Sequence, residues 1–361
     1  MQLKFKDYDK MSNIVNYLRN YNGPAVKIME VCGTHTMSIA RSGIRTLLSE
    51  KIKLISGPGC PVCVTAINRI DEIFELAKRH DTIIATFGDM LKVPGSKAGF
   101  NLSMLKSQGA NIQIVYSAMD ALNLAMNNKE NEIIFLGIGF ETTAPGTAVA
   151  IKEAAVKCIE NFSVFSMHKY VEPALRALIE SDDFDIDGFL CPGHVSTILG
   201  IRGFEFLVEE YKIPSVITGF EAEDILVAIY KILNQITGDN PSIENEYLRI
   251  VSYEGNKLAQ NMLNEVFYPD DDLWRGIGVI NKSGMAIRNK YSKFDAVKKF
   301  NINLDFVDKS TACKCGEIIK GKIQPDECKL FAINCTPENP IGPCMVSSEG
   351  ACAAFYKYLR F

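Results

Sequence analysis

Eleven cysteines in 361 residues are the first chemistry this sequence offers, and all but Cys158 and Cys191 fall into two groups. Cys32, Cys60 and Cys63 lie near the start; Cys313, Cys315, Cys328, Cys335, Cys344 and Cys352 crowd the C-terminal end. In a reducing compartment such patterns point to metal binding or redox chemistry and away from structural disulfides. Cys60-Pro61-Val62-Cys63 follows a β-type run and opens a helical pattern carrying Ile67, Ile70, Ile73, Phe74 and Ala77. A thiolate at a helix N-terminus is stabilised by unpaired N–H groups and the positive end of the dipole. Two chemistries stay open: a dithiol cycling with a disulfide, or two soft metal ligands joined by Cys32 and His35.

In the terminal group, Cys313-x-Cys315 is followed by gaps of 12, 6, 8 and 7 residues. The paired knuckles of zinc lobes are missing, whereas four thiolates hold one [4Fe-4S] cluster and two are left as a redox-active pair. Spacing therefore favours iron–sulfur over zinc. Weaker candidates are His194, after Cys191-Pro192-Gly193, and Glu141 beside Thr142 and Thr143. Cys158 falls within a helical pattern and reads as core, and Cys191 reads equally as core or site.

The elements that must position these groups are short apolar β-branched runs with amphipathic stretches between them. Residues 25–31, 52–56, 82–87 and 112–116 form one series, their starts about 30 residues apart, the length of a strand–helix unit. Residues 132–136, 162–167, 186–190 and 215–218 form a second. The expected fold is α/β: two parallel-sheet, Rossmann-like domains, 1–128 and 129–240, then a helical segment 241–308 and a small cysteine-rich iron–sulfur lobe 309–361. Ligands bind beyond the carboxyl ends of parallel strands. Those ends carry Cys32-Gly-Thr-His35, Gly57-Pro-Gly-Cys60, Glu141-Thr-Thr143 and Cys191-Pro-Gly-His194, so the site is expected between the two domains. The glycine-rich turns lack the third glycine of a dinucleotide fingerprint and the Lys-Ser/Thr of a phosphate loop.

Composition narrows the rest. A formal charge of -4 gives no field to hold a polyanion, so nucleic acid is not an expected partner. The first ten residues carry charges where a signal peptide needs an apolar stretch, and no run is long enough to span a membrane; a cytoplasmic protein is expected.

Taken together, Cys32-Gly-Thr-His-Thr, Gly57-Pro-Gly-Cys-Pro-Val-Cys63, Gly139-Phe-Glu-Thr-Thr143, Cys191-Pro-Gly-His-Val-Ser196 and Cys335-Thr-Pro-Glu-Asn-Pro-Ile-Gly-Pro-Cys-Met-Val-Ser-Ser-Glu-Gly-Ala-Cys352 resemble the HypD family of hydrogenase maturation factors. The resemblance runs nearly end to end. It implies two α/β domains and a [4Fe-4S] lobe with surroundings like those of ferredoxin-thioredoxin reductase. The implied task is assembly of the Fe(CN)2CO group of [NiFe]-hydrogenase, with a HypC-type chaperone as partner and a HypE-type cyanide donor. By position, Cys32 is the implied iron contact shared with a chaperone thiol, with Cys60 and Cys63 as a nearby dithiol. Cys313, Cys328, Cys335 and Cys352 are the implied cluster ligands, leaving Cys315 and Cys344 as the redox pair. A stand-alone reductase of protein disulfides is the competing expectation. Electrons from such a cluster need an outlet, so the terminal lobe is expected to pack against the first domain near Cys60 and Cys63.

Overall fold

The computed structural model describes residues 8–97, 99–303 and 312–359. Eight short strands lie where the apolar runs predict them: β1 (Val26–Glu30), β2 (Ile52–Ser56), β3 (Thr82–Thr86), β4 (Ile112–Ile114), β5 (Glu132–Gly139), β6 (Phe162–His168), β7 (Gly188–Pro192) and β8 (Ser215–Thr218). A ninth, β9 (Ile243–Asn245), follows. All pair in parallel, and they form two sheets, in the orders β2-β1-β7-β8-β9 and β4-β3-β5-β6.

This pairing does not divide the chain at residues 128 and 129. The chain leaves the first sheet after β2, builds all of the second from β3 to β6, and returns to place β7 beside β1. An apolar run marks a strand but not its neighbour, because partners are chosen by which faces can be buried together. On the outer face of the first sheet, Ile28, Leu190 and Val216 from β1, β7 and β8 pack with Ile225, Ile229 and Ile232 of the helix Ala222–Thr237. The outer face of the second sheet buries Ile83, Phe135 and Val164 under the helices Ala118–Asn127 and Ala144–Val156. The third core runs between the sheets and into the terminal lobe, joining Met29, Ile134, Phe189, Trp274, Cys315 and Cys344.

Three local expectations are corrected. The segment 241–308 is not helical throughout: β10 (Phe267–Trp274) and β11 (Gly278–Ile287) form an antiparallel hairpin, irregular between Asp270 and Asp272. The acidic run Asp270-Asp271-Asp272 hides the alternation, while fully buried Trp274 and Met285 turn the ribbon's apolar side inward. Cys158 is exposed, not core; the helix ends at Val156 and Cys158 adopts a left-handed φ of 53° past its end. Finally, the cysteine motif does not open one long helix. Pro61–Val64 is a single turn, broken at Thr65 and Ala66 before the helix Ile67–Ala77 begins. Val64 and Thr65 give their carbonyls to Arg275 of the hairpin, which diverts the backbone groups that would have continued the helix.

The lobe has little regular structure beyond the helices Cys315–Ile319 and Ala351–Tyr358. The latter packs on the helix Gly33–Ser42, and the turn Pro343–Met345 packs on Pro61–Val64. The boundary expected between 308 and 309 lies outside the described residues.

Candidate functional site

The carboxyl ends of β1, β5 and β7 open onto a cleft of about 610 Å³, lined by Cys32, Gly139, Thr142, Thr143, His194 and Glu349 among others. Cys32 caps the helix Gly33–Ser42 with extended backbone, φ −147°. Gly59 makes this placement possible. A Cβ there would sit 2.4 Å from the Cys32 nitrogen and 2.5 Å from its Cα, so only glycine lets the two strand-end loops touch. The Cys32 thiol is buried, and burial followed by the nearby Glu349 carboxylate pushes its pKa up to about 12.

Glu349 comes from the terminal lobe. Its Oε1 accepts a hydrogen bond from Thr34 Oγ1 at 2.9 Å, and its backbone lies against Gly33, where a Cβ would approach within 2.4 Å. Burial raises its own carboxyl pKa. Asp89, beyond β3, accepts from Ser348 Oγ at 3.0 Å and from the Ser348 N–H at 3.3 Å. The segment between Cys344 and Cys352 is therefore clamped to both sheets beside Cys32.

His194 lies on the rim of the cleft, stacked on Phe220 at 4.0 Å, its pKa lowered by burial. The cleft lining does not include His35 or Glu141. His35 is fully buried; its Nε2 faces the carbonyls of Gly219 at 2.9 Å and Thr218 at 3.3 Å, and burial lowers its pKa to about 4. It pins the Cys32 helix to the end of β8. Glu141 is buried too, with Oε1 accepting the Val171 N–H at 3.0 Å and a pKa raised to about 7 by burial. Its neighbours Thr142 and Thr143 face the cleft instead. Cys191 is buried in β7, where desolvation holds it protonated.

Cys60 and Cys63 are joined by a disulfide, and both are buried. They line a second, small cavity together with Cys344 and Glu349. Cys32 lines the first cavity and the Cys60/Cys63 pair the second, and His35 lines neither. The structure brings that pair to the terminal lobe. Glu349 lines both cavities.

In the lobe, Cys313, Cys315, Cys328, Cys335 and Cys352 surround a third cavity walled by Ile318, Leu330, Phe331, Ile341 and Met345. Cys313 and Cys315 approach at 2.9 Å between sulfurs. Gly342 admits them: a Cβ there would meet the Cys313 sulfur at 2.2 Å and that of Cys315 at 2.7 Å. Burial first, and the neighbouring thiols second, raise the Cys352 pKa well above the usual thiol range. Among the described residues no three or more His, Cys, Asp or Glu side chains are drawn around a single-ion position. The fit to an iron–sulfur cluster rests on donor type: five thiols line the cavity among mostly apolar side chains, and among the described residues no carboxylate or imidazole lines it. The four ligands implied by the resemblance all line it, Cys315 lines it as well, and Cys344 alone of the six is turned toward the Cys60–Cys63 cavity.

Sequence reasoning missed Glu349 and Arg275 as parts of the site. Glu349 lies between two of the terminal cysteines, a signal that was there to read. Arg275 carries none, since nothing in Trp274-Arg275-Gly276 reports what the hairpin tip will touch.

The family model "HypD: Hydrogenase formation hypA family" matches residues 9–359. The hydrogenase maturation factor HypD of Cupriavidus necator is 43% identical over 367 residues, covering 99% of this chain and 97% of that protein. Its counterpart in Rhodobacter capsulatus is 44% identical over 338 residues, 92% of this chain and 89% of the other. That of Escherichia coli K12 is 42% identical over 334 residues, again 92% and 89%. With such matches over nearly its whole length, and with its thiols gathered at the sheet ends and in the terminal lobe, the chain belongs to the HypD family of hydrogenase maturation factors.

Proposed function

We propose that this protein is the scaffold and redox component on which the Fe(CN)2CO group of [NiFe]-hydrogenase is assembled. Cys32 binds the iron being processed, together with a thiol of a HypC-type chaperone docked over the cleft. A HypE-type protein delivers cyanide there. The lobe holds a [4Fe-4S] cluster through Cys313, Cys328, Cys335 and Cys352, and when bound the cluster supplies single electrons for resetting the Cys315/Cys344 pair. The observation that carries this reading is the shared cavity of Cys60, Cys63 and Cys344. It supports thiol–disulfide exchange at that place: the Cys344 thiolate attacks one sulfur of Cys60–Cys63, a mixed disulfide forms and the other sulfur leaves as thiolate. Cys315 then attacks the Cys344 sulfur, so that Cys315–Cys344 is oxidised and Cys60/Cys63 gains two electrons as a dithiol.

Around the iron, the chain's own groups keep water out and manage charge. Cys32 is desolvated, Val31, Val62, Phe140 and Val195 help to wall the cleft, and His194 stands at its rim. Soft thiolate donors suit low-spin iron carrying cyanide and carbon monoxide. The test is infrared spectroscopy of the anaerobic complex with the HypC-type chaperone. Cyanide and carbonyl stretching bands that vanish in Cys32→Ala are expected. A wild-type complex with no such bands, but with turnover of a protein disulfide, would show a reductase and overturn the scaffold.

A further inference from the structure

One short turn forms part of the wall of two cavities. Pro61 and Val62, in its middle, line the large cleft together with Gly59 and Cys32, whereas Cys60 and Cys63 line the small cavity they share with Cys344. A disulfide closes the turn on that second side. The two sides differ in room: the cavity at the sulfurs is about 10 Å³, walled by Ile318, Ile319 and Ala351 of the lobe among others, and the cleft is about 610 Å³. A space of ~10–15 Å³ is the least that holds one water, so the sulfur side is filled.

The ends of the turn are held differently. At the Cys63 end, Val64 O accepts the Arg275 backbone N–H at 2.9 Å, Thr65 O accepts Arg275 Nε at 2.8 Å, and Thr65 forms an antiparallel bridge with Trp274. Thr65 Oγ1 also donates to Pro61 O at 2.8 Å. Trp274, the chain's one tryptophan, is fully buried, its Nε1–H donating to Ser283 Oγ at 2.8 Å. Its ring stacks on the cleft-lining Phe140 at 6.2 Å, and the Lys169 ammonium stands 5.0 Å over it. The hairpin thus fixes this end. The Cys60 end continues into Gly59, whose carbonyl accepts the Gly33 N–H at 3.2 Å and where a Cβ would meet the Cys32 nitrogen at 2.4 Å. A shift of Cys60 therefore bears directly on Cys32.

Two sulfurs that are no longer bonded separate to van der Waals contact, and a close-packed interior does not compress to make the room. With the sulfur side filled and the Cys63 end fixed, the displacement falls on Cys60, Gly59 and the cleft face of Pro61 and Val62. We propose that the Cys60–Cys63 bond is a switch for the cleft: its reduction, with Trp274 as the positioning residue that braces the Cys63 end, shifts the Cys60 end of the turn and exposes the Cys32 thiol. The proposal rests on the reading of Cys60–Cys63 as redox-active and extends it from electron supply to control of the site.

The full chain, purified anaerobically, is compared before and after treatment with dithiothreitol, in which the S–S bond breaks, two thiols form and the reagent becomes its cyclic disulfide. Once the reagent is removed, iodoacetamide is applied to low extents of modification, and peptide mass mapping gives the rate at Cys32 by itself. That rate is expected to be about tenfold higher in the reduced protein, within the usual range of coupling between two sites. The double variant Cys60→Ser/Cys63→Ser, which cannot form the bond, is expected to match the reduced protein with or without reductant. In Trp274→Leu the Cys63 end gives way, and the ratio between the two states is expected to fall below about threefold. Equal rates at Cys32 in both states overturn the switch, and an undiminished ratio in Trp274→Leu overturns the brace. If Trp274→Leu does not fold, Trp274→Phe, which keeps a smaller ring, carries the same comparison. If dithiothreitol leaves Cys60–Cys63 bonded, the redox reading of the pair fails; the double serine variant then decides the coupling, a faster Cys32 upholding it and an unchanged one overturning it.

Discussion

The two thiol-bearing regions are built on opposite plans. Around Cys32, Cys60 and Cys63 the chain is held by parallel strands whose ends are fixed by ladder hydrogen bonds, and glycine lets the loops touch. In the lobe, short helices and single turns leave five of the six cysteines as neighbours around a largely apolar cavity. The sheet ends can hold a reactive group rigidly without any bound partner. A lobe so poor in regular structure needs a cross-linking group for its stability, as small cysteine-rich lobes generally do. The two plans predict different responses to damage.

The largest contrast concerns metal. Anaerobic wild-type protein is expected to carry about four iron and four sulfide, and Cys352→Ala to lose nearly all of both and to expose the lobe to proteolysis. The sheets, with cores of their own, stay folded. Iron analysis with limited proteolysis checks this, and a lobe equally resistant without iron would erase the distinction. Cys32→Ala makes the opposite expectation. Hydrogenase maturation falls at least ~100-fold, the size of loss when a reacting group is removed, while lobe iron and melting temperature stay as in wild type. If iron is lost as well, Cys32 is part of the fold and not of the chemistry.

Glu141 sharpens the picture through pH. Its folded pKa of about 7 lies above the ordinary 4.5, so the protonated form is favoured by folding. Its contribution is whole below about pH 4.5 and is lost as pH rises through 7. Glu141→Gln removes this loss, and its stability relative to wild type is expected to rise by up to about 3 kcal/mol between pH 4 and 8. Chemical denaturation at the two pH values measures it. A flat difference would mean that Glu141 is ionised in the folded protein. The smallest effect is a backbone one. Gly59→Ala drives a methyl into the Cys32 backbone and is expected to cost about 1–3 kcal/mol. Gly88→Ala, with nothing within 4 Å of the added carbon, should change stability by less than ~0.5 kcal/mol. Equal losses at the two glycines would show that the close approach at Cys32 is not what Gly59 secures.

By itself the sequence determined the local elements and the chemical inventory. Apolar runs place strands such as Ile52–Ser56 and Ser215–Thr218 at their observed bounds, and the amphipathic Ala351–Tyr358 is a helix. A strand or helix announces itself within a few residues, because its period is written in which neighbours are apolar. Tertiary structure decided what local period cannot carry. It placed β7 against β1 and buried His35 and Glu141 away from the cleft. It turned Cys344 toward Cys60 and Cys63, set Glu349 in the cleft of Cys32, and seated Arg275 on the carbonyls of Val64 and Thr65 just after Cys63. Each of these depends on which surfaces of separate elements exclude water together, a property of the assembled core and not of any one segment.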